Sequence, residues 1–216
     1  MGYHEAVAIQ EALRREVVRT GSLKGMRLIA GADVSYAKRA ATMYAAVVVL
    51  DWPSLSVVEE VTAERRAAFP YIPGLLSFRE LPAVIAAFRK LRSQLDVIIC
   101  DGHGVAHPRG FGIASHLGVL LDVPTIGCAK KRLVGEHAEP GAQRGARAPL
   151  RLAGRTIGTV LRTRSTVKPV FVSVGHRIGL SSAVRLVLET AVRYRLPEPT
   201  RLAHVLSNAA RRGDLH

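Results

Sequence analysis

The chain has 216 residues, enough for one sizeable domain with a hydrophobic core, and its 48% hydrophobic and 22% charged residues are ordinary for a globular enzyme. The charge balance is unusual, because 31 Lys and Arg against 17 Asp and Glu give a formal net charge of +14. Such an excess favours a polyanionic partner such as nucleic acid, although a solvated basic surface without any partner is the alternative.

The sequence carries no sign of membrane insertion or secretion. No stretch approaches the roughly 18 uncharged apolar residues of a membrane span, and charged residues interrupt the N-terminus where a signal peptide would be apolar. Cys100 and Cys128 lie in separate apolar stretches without metal-ligand spacing, so both are expected to be reduced core residues. We therefore expect a cytoplasmic protein that does not bind membranes.

Hydrophobic periodicity predicts a chain that mixes strands and helices, without internal repeats or linkers. In chain order we expect a helix at 3–19, strands at 26–37, 44–50 and 55–66, a loop at 69–76, a helix at 81–95, a strand at 97–100, a helix at 111–121, a strand at 123–128, a mobile loop at 135–149, strands at 150–152, 155–162 and 169–174, a helix at 181–196 and a last helix capped by Thr200. This order predicts a single α/β domain over residues 1–216, a ribonuclease-H-like fold with a mixed central sheet and helices on both faces.

Three carboxylates are informative in this topology. Asp33 lies inside an apolar strand, Glu80 at the start of the helix after the hairpin, and Asp101 at the end of the fourth strand. In a ribonuclease-H-like sheet the first and fourth strands are neighbours, so the two aspartates can converge. Buried acids need a cation, and three oxygen ligands suit Mg²⁺ or Mn²⁺, which can activate water for phosphodiester hydrolysis.

Each carboxylate also has a structural explanation. Glu80 fits a capping box with Ser77, although Pro82 argues against it by removing a backbone donor. Asp101 fits an ordinary Asp-Gly turn. Asp33 is the hardest to explain without a partner, because a central strand rarely holds an unpaired acid. Taken together, the three favour the metal site.

A second metal pattern follows Asp101, where His103 and His107 have H-x-x-x-H spacing. Zinc proteases use that spacing on a helix with Glu after the first His, whereas here Gly104 follows and Pro108 indicates a loop. The segment also lacks the Lys-Ser/Thr of a phosphate-cradling loop, which disfavours nucleotide binding. We interpret His107 as a group close to the metal and the phosphate.

The loop Pro70-Tyr71-Ile72-Pro73 comes shortly before Glu80. It is either a proline-stiffened core loop or a rigid wedge that inserts Tyr71 and Ile72 into a duplex and unstacks a base. The basic charge of the chain favours the wedge.

Long segments of the chain resemble the signature motifs of the endonuclease V family, the deoxyinosine-specific nucleases. They are GADVSY at 31–36, PYIPGLLSFRE at 70–80, DGHGVAHPR at 101–109, GCAK at 127–130, VGHR at 174–177 and LPEPTR at 196–201. The resemblance covers about residues 30–206. It implies a ribonuclease-H-like DNA repair enzyme that uses Mg²⁺, with Mn²⁺ as a substitute, to hydrolyse the second phosphodiester bond 3′ to hypoxanthine, leaving a 3′-hydroxyl and a 5′-phosphate.

The motifs also imply roles for individual residues. They assign metal ligands at Asp33, Glu80, Asp101 and His204, further catalytic groups at His107 and Lys130, a DNA wedge at Pro70, Tyr71, Ile72 and Pro73, and a lesion pocket at Gly74, Gly102 and Gly127. The expected partner is deoxyinosine-containing DNA, bound by a monomer without a small-molecule cofactor. Two alternatives remain: an inosine-specific ribonuclease and a non-catalytic module that binds inosine nucleic acids.

Overall fold

The computed structural model describes residues 1–37 and 41–214. Its strands are β1 (Leu28–Ser35), β2 (Thr42–Asp51), β3 (Val57–Arg66), β4 (Val97–Cys100), β5 (Thr125–Ala129), β6 (Arg147–Leu152), β7 (Arg155–Leu161) and β8 (Val170–His176). Its helices are α1 (Tyr3–Leu13), α2 (Leu76–Phe88), α3 (Ile113–Leu121), α4 (Leu180–Thr190) and α5 (Glu198–Arg212). None of the helices in these ranges is long and apolar enough to cross a membrane.

The strands form one mixed sheet in the order β3-β2-β1-β4-β5-β8-β7-β6. The first three strands are antiparallel, β1 pairs with β4 in parallel, and β4 pairs in parallel with β5. The prediction that the first and fourth strands are adjacent in the sheet is therefore confirmed. Because Ala32 pairs with Cys100, the next residues on the two strands, Asp33 and Asp101, lie at the same edge of the sheet.

Helices cover both faces of the sheet, as predicted. On one face Ala30 and Ile98 pack in a cluster with Leu81 of α2 and Leu117 of α3. On the other face the buried strand residues pack in a cluster with Val184 of α4. Burial on both faces explains why β4 is a continuous apolar run without alternation. The two cysteines are buried and free in this core, as expected.

Three predicted helices differ in extent from those observed. The first ends at Leu13, well before residue 19, because a 3₁₀ turn follows and the chain then runs to β8, where Arg177 N donates to Val18 O at 2.7 Å. The second spans Leu76–Phe88 in place of 81–95, with Pro82 inside it. The fourth ends at Thr190, six residues before the predicted end at 196.

Two local predictions are wrong. Thr200 does not cap α5; Pro197 stands at the cap position, and the Thr200 hydroxyl donates to the Pro197 carbonyl at 3.0 Å. The segment 135–149 is anchored where a mobile loop was predicted. Buried Arg162 donates from Nε to Gly141 O at 2.7 Å and from Nη2 to Glu139 Oε1 at 2.6 Å.

Candidate functional site

Asp33 and Asp101 lie side by side where β1 and β4 end, and His204 of α5 joins them. One ligand atom from each of the three residues lies within 4.8 Å of the others. The close approach of α5 requires Gly31, because a Cβ at that position would lie 2.0 Å from Pro199 O. Gly31 thus allows the last helix to cross β1 and bring its histidine to the aspartate.

The Asp33 carboxylate is mostly buried and already hydrogen-bonded on one oxygen. Ser207 Oγ donates to Asp33 Oδ2 at 2.6 Å, and His204 Nδ1 lies 3.2 Å from the same oxygen. The bond to Asp33 raises the pKa of His204 above its ordinary value and favours the charged imidazolium, although the nearby charge of Lys130 opposes this shift.

Asp101 pairs with Lys130, which follows directly after β5. Lys130 Nζ lies 2.5 Å from Asp101 Oδ2, because β5 is the parallel neighbour of β4. Burial raises the pKa of Asp101 even though Lys130 pulls it down, and the charge of Asp33 raises it further. Arg195 Nη2 donates to the Lys130 carbonyl at 2.6 Å and holds the strand end that carries the lysine.

Glu80 lies on the wall of the same cavity, in the second turn of α2. Burial, followed by the charges of Asp33 and Asp101, raises the pKa of Glu80 to about 8, and Tyr36 is its hydrogen-bond partner. Glu80 is not one of the three residues whose ligand atoms lie within 4.8 Å of each other. The alternative capping box is not formed, because Leu75 is the N-cap and Ser77 Oγ bonds to His116 Nδ1 at 3.0 Å.

These side chains line a cavity of about 360 Å³ that can accept a hard cation. Its charged and imidazole groups are Asp33, Glu80, Asp101, Lys130 and His204. The three carboxylates crowd negative charge into one cavity, which contributes to the raised pKa values of Glu80 and Asp101, and a divalent cation between them would relieve that repulsion. The donor set therefore fits a metal ion, with Lys130 beside it as a second positive group.

A second cavity of about 200 Å³ adjoins the first and shares Asp101 with it. Its wall contains the predicted pocket residues Gly74 and Gly102 together with Tyr71. Gly127 does not line the cavity but packs against the backbone of residues 102–104. A Cβ at Gly127 would be 2.4 Å from Gly104 N, so this close packing requires glycine.

His107 lines this second cavity and not the carboxylate cavity. Burial, with help from the nearby charge of Arg109, lowers the pKa of His107 to about 4, so its ring is neutral at physiological pH. His103 Nε2 contacts the Lys131 carbonyl at 3.0 Å. Among residues 1–37 and 41–214, neither histidine belongs to the cluster of three possible metal ligands, which is formed by Asp33, Asp101 and His204.

The predicted wedge projects from the mouth of the second cavity through one aromatic side chain. Tyr71 is 62% exposed, and its neighbours Pro70 and Pro73 are exposed as well. Ile72 differs, because it is partly buried and packs with Phe69 under the loop. Tyr71 is thus the projecting group, and Ile72 anchors it.

Three residues of this region were not predicted from the sequence. Gln10 of α1 and Tyr36 after β1 line the cavities, and Ser207 of α5 donates to Asp33. Gln10 is 1% exposed although it is polar. Its position four residues after Ala6, on the buried face of α1, is the signal that could have identified it. Ser207 likewise lies four residues after Ala203 on the buried face of α5.

An acidic cluster at the ends of neighbouring parallel strands, on a mixed sheet covered by helices, defines a nuclease of the ribonuclease-H-like fold. Residues 11–205 match the family model of endonuclease V. The endonuclease V of Roseiflexus sp. is 51% identical over 207 residues, which cover 96% of this chain and 92% of the relative. The chain belongs to the endonuclease V family, so the family resemblance of its motifs is confirmed.

Solved structures agree with the fold. The crystal structure of endonuclease V from Streptomyces avermitilis superposes with a TM-score of 0.94 at 47% identity, covering 99% of this chain and 94% of that one. Ciona intestinalis endonuclease V, in complex with a 24-mer DNA containing an inosine followed by a ribo-adenosine, superposes with a TM-score of 0.85 at 26% identity over 98% of both chains.

Proposed function

We propose that this protein is a DNA repair endonuclease that hydrolyses the second phosphodiester bond 3′ to deoxyinosine (hypoxanthine), leaving a 3′-hydroxyl and a 5′-phosphate. The observation that carries the proposal is the pair of adjoining cavities that share Asp101, one acidic and one lined by glycines and neutral histidine. When a base of the bound strand enters the second cavity, the phosphates on its 3′ side lie at the first, acidic cavity. The inosine-containing DNA bound by the Ciona relative supports this assignment.

The base enters its cavity only after leaving the stack. An enzyme that reads a base edge flips it out of the helix, at an unstacking cost that is lowest for mispaired or damaged bases. Tyr71, exposed at the cavity mouth, fills the gap that the flipped base leaves. Backbone groups of Gly74 and Gly102 form hydrogen bonds to the base edge, and Gly127 keeps the Gly102 segment in position.

The metal of this site is Mg²⁺, with Mn²⁺ as a substitute. Asp33, Asp101 and His204 would hold it, with Glu80 completing the wall of the cavity. When bound, a divalent cation there activates the attacking water and neutralises charge on the phosphate. No small-molecule cofactor is required for this chemistry.

The protein's own groups then act on the phosphate and the base. Lys130 exchanges its contact with Asp101 for the scissile phosphate and stabilises the charge that develops on its oxygens. His107, neutral because burial lowers its pKa to about 4, offers a hydrogen bond in the base cavity beside the reacting phosphate. The enzyme works as a single-domain monomer in the cytoplasm.

A substrate panel tests the proposal. Strands of one sequence carry deoxyinosine in duplex DNA, deoxyinosine in single-stranded DNA, or inosine in RNA, and each is incubated with Mg²⁺ and wild type or Asp101→Ala. We expect wild type to cut the deoxyinosine strands and Asp101→Ala to cut none. A wild type that cuts none of the substrates, or a variant that cuts as well as wild type, contradicts the catalytic assignment.

An inosine-specific ribonuclease is the second candidate, because the Ciona relative binds an inosine followed by a ribonucleotide. Faster cleavage of the RNA strand than of either DNA strand in the same panel favours that activity. Tight binding that depends on inosine, without cleavage in Mg²⁺ or Mn²⁺, favours a non-catalytic inosine-binding module.

A further inference from the structure

We infer that Gln10 of the N-terminal helix is a positioning residue that fixes the width of the base pocket and thereby the selectivity for inosine over guanine. The inference rests on the proposed function and concerns the second cavity, whose wall includes Gln10. Gln10 lies just outside residues 11–205, the part of the chain that matches the family model.

Gln10 makes three hydrogen bonds, which tie Gly74 of the pocket wall to Arg109 and to Phe111, the chain neighbour of the wall residue Gly112. Its amide nitrogen donates to Phe111 O at 2.8 Å and to Gly74 O at 3.1 Å, while its amide oxygen accepts a bond from Arg109 Nε. Two carbonyls and one guanidinium leave only one orientation of the amide that satisfies every partner. A buried amide with all of these bonds is a rigid strut.

Arg109 closes the same network from the other side. Its Nη2 donates to Gly74 O at 2.6 Å, so Gly74 O receives bonds from both Gln10 and Arg109. Gly74 directly follows the wedge and precedes Leu75, the N-cap residue of α2. The network therefore sets the distance between the wedge side of the pocket and the Phe111 side.

Apolar packing of the same helix supports the wedge loop from below. Ala6 of α1 is fully buried in a cluster with Phe69, Leu75 and Phe78, and Ile72 packs against that cluster. The helix thus holds the base of the wedge by packing and the wall of the pocket by hydrogen bonds. Gln10 is the one polar side chain buried on α1, so it is the member whose loss would loosen the wall without removing the apolar support.

The hydrogen bonds of Gln10 determine which base the pocket accepts. Guanine is hypoxanthine with an added amino group, so a wall that gives way admits guanine, whereas a fixed wall excludes it by size. Loss of the strut should therefore reduce discrimination more than it reduces the rate on inosine. Discrimination between ligands that differ by one small group is sensitive to such changes in a pocket.

The test compares single strands that carry one inosine or one guanine in the same sequence, because single strands remove the cost of unpairing. The measured quantity is the ratio of kcat/KM values for the two strands. Gln10→Met removes all three hydrogen bonds at similar volume, and Gln10→Asn keeps the amide but shortens its reach. The matched control is Glu11→Gln, on the exposed face of the same helix.

We expect Gln10→Met to lower the ratio roughly tenfold, Gln10→Asn to lower it less, and Glu11→Gln to leave it unchanged. Amide hydrogen exchange should accelerate at residues 72–76 and stay unchanged in β4, which separates a local strut from a general loss of stability. If Gln10→Met does not fold, Gln10→Asn carries the test. A ratio within twofold of wild type in the folded variants overturns the inference, whatever the exchange shows.

Failure of the proposed function gives a different result. A wild type that binds the inosine strand more tightly than the guanine strand in Ca²⁺, yet cuts neither in Mg²⁺, contradicts only the nuclease activity, and the ratio is then taken from dissociation constants. A wild type that does not distinguish the two strands at all overturns both proposals.

Discussion

Lys130 Nζ lies 2.5 Å from Asp101 Oδ2, so a protein cation occupies the position next to the proposed metal. The pair joins the ends of two parallel strands and is only partly exposed. A lysine in that position lowers the repulsion between carboxylates before a divalent cation enters and is free to turn to the phosphate afterwards. The same contact means that lysine and metal compete for Asp101.

Replacing Lys130 should separate metal binding from catalysis. Lys130→Met is expected to slow cleavage of a deoxyinosine strand about 100-fold, because one positive group at the reacting phosphate is lost. The Mg²⁺ concentration for half-maximal rate should fall, because the competing cation is gone. Both quantities come from initial rates in a metal titration. Lys131→Met, the exposed neighbour, serves as the control and should change neither. An unchanged rate in Lys130→Met contradicts the assigned role.

We expect the ionised carboxylate of Glu80 to lower the free energy of unfolding at high pH when no divalent cation is bound. Burial and the charges of Asp33 and Asp101 raise its pKa from 4.5 to about 8. Because the folded pKa lies above the ordinary value, its stability contribution is fully present below about pH 4.5 and is lost as the pH rises through about 8. Glu80→Gln should therefore unfold at higher urea concentration than wild type at pH 9 in EDTA, with a gain on the order of a few kcal/mol.

The same Glu80→Gln variant should have lost most of its cleavage activity in Mg²⁺, a trade of activity for stability. At pH 5 in EDTA the two proteins should unfold at nearly the same urea concentration, because the glutamate is then protonated. A variant less stable than wild type at pH 9 contradicts the assigned environment of Glu80.

His116 should make the protein sensitive to acid. Its ring is buried between Phe78 and Phe111, it bonds to Ser77, and burial lowers its pKa from 6.5 to about 4. The folded pKa lies below the ordinary value, so its stability contribution is present above about pH 6.5 and is lost as the pH falls through about 4. The loss from this group is about 3 kcal/mol at most, measurable as the change in unfolding free energy with pH.

His116→Asn keeps a polar partner for Ser77 and removes the titrating group. The variant should start less stable at pH 7, because a smaller side chain leaves a cavity, yet lose less stability than wild type between pH 6.5 and 4. His4→Asn, at an exposed position, should follow the wild-type curve. Equal acid dependence in His116→Asn and wild type would exclude His116 as a source of it.

The wedge residue Tyr71 should affect the cleavage of duplex DNA but not of single strands. Tyr71 is 62% exposed, so Tyr71→Ala should change the unfolding free energy by less than about 0.5 kcal/mol. Cleavage of a deoxyinosine duplex should fall by at least about tenfold, whereas cleavage of the single strand should change little, because no base pair has to be opened there. The measurement is kcat/KM on both substrates. Tyr194→Ala is the control, since Tyr194 is also exposed. Equal losses on both substrates contradict a wedge.

The sheet was predictable from the sequence because its signals are local. The apolar stretches of β1 and β4 and the order of the elements predict a ribonuclease-H-like sheet, in which Asp33 lies next to Asp101, as the parallel pairing confirms. The helix ends were less predictable. The first helix stops at Leu13 because the following chain forms hydrogen bonds with the end of β8, a contact between segments far apart in sequence.

The surroundings of the site were predictable only in part, and the reason is again distance along the chain. The helical spacing of Gln10 from Ala6 and of Ser207 from Ala203 places both on buried helix faces, but it does not reveal their partners. Ser207 lies 174 positions from Asp33, and Gln10 lies 101 positions from Phe111. The motif of His107 predicted a position close to the metal and the phosphate, and it did not specify that the ring lines the cavity next to the carboxylates.

The position of the break in a deoxyinosine duplex is the sharpest test of the proposed cleavage reaction. The strand is incubated with the protein in Mg²⁺, and the fragment masses are measured, with EDTA and Asp101→Ala reactions in parallel. We expect one break in Mg²⁺ alone, at the second phosphodiester bond 3′ to the inosine, with a 3′-hydroxyl and a 5′-phosphate. A break at another bond, a break in EDTA, or no break at all contradicts the proposed reaction.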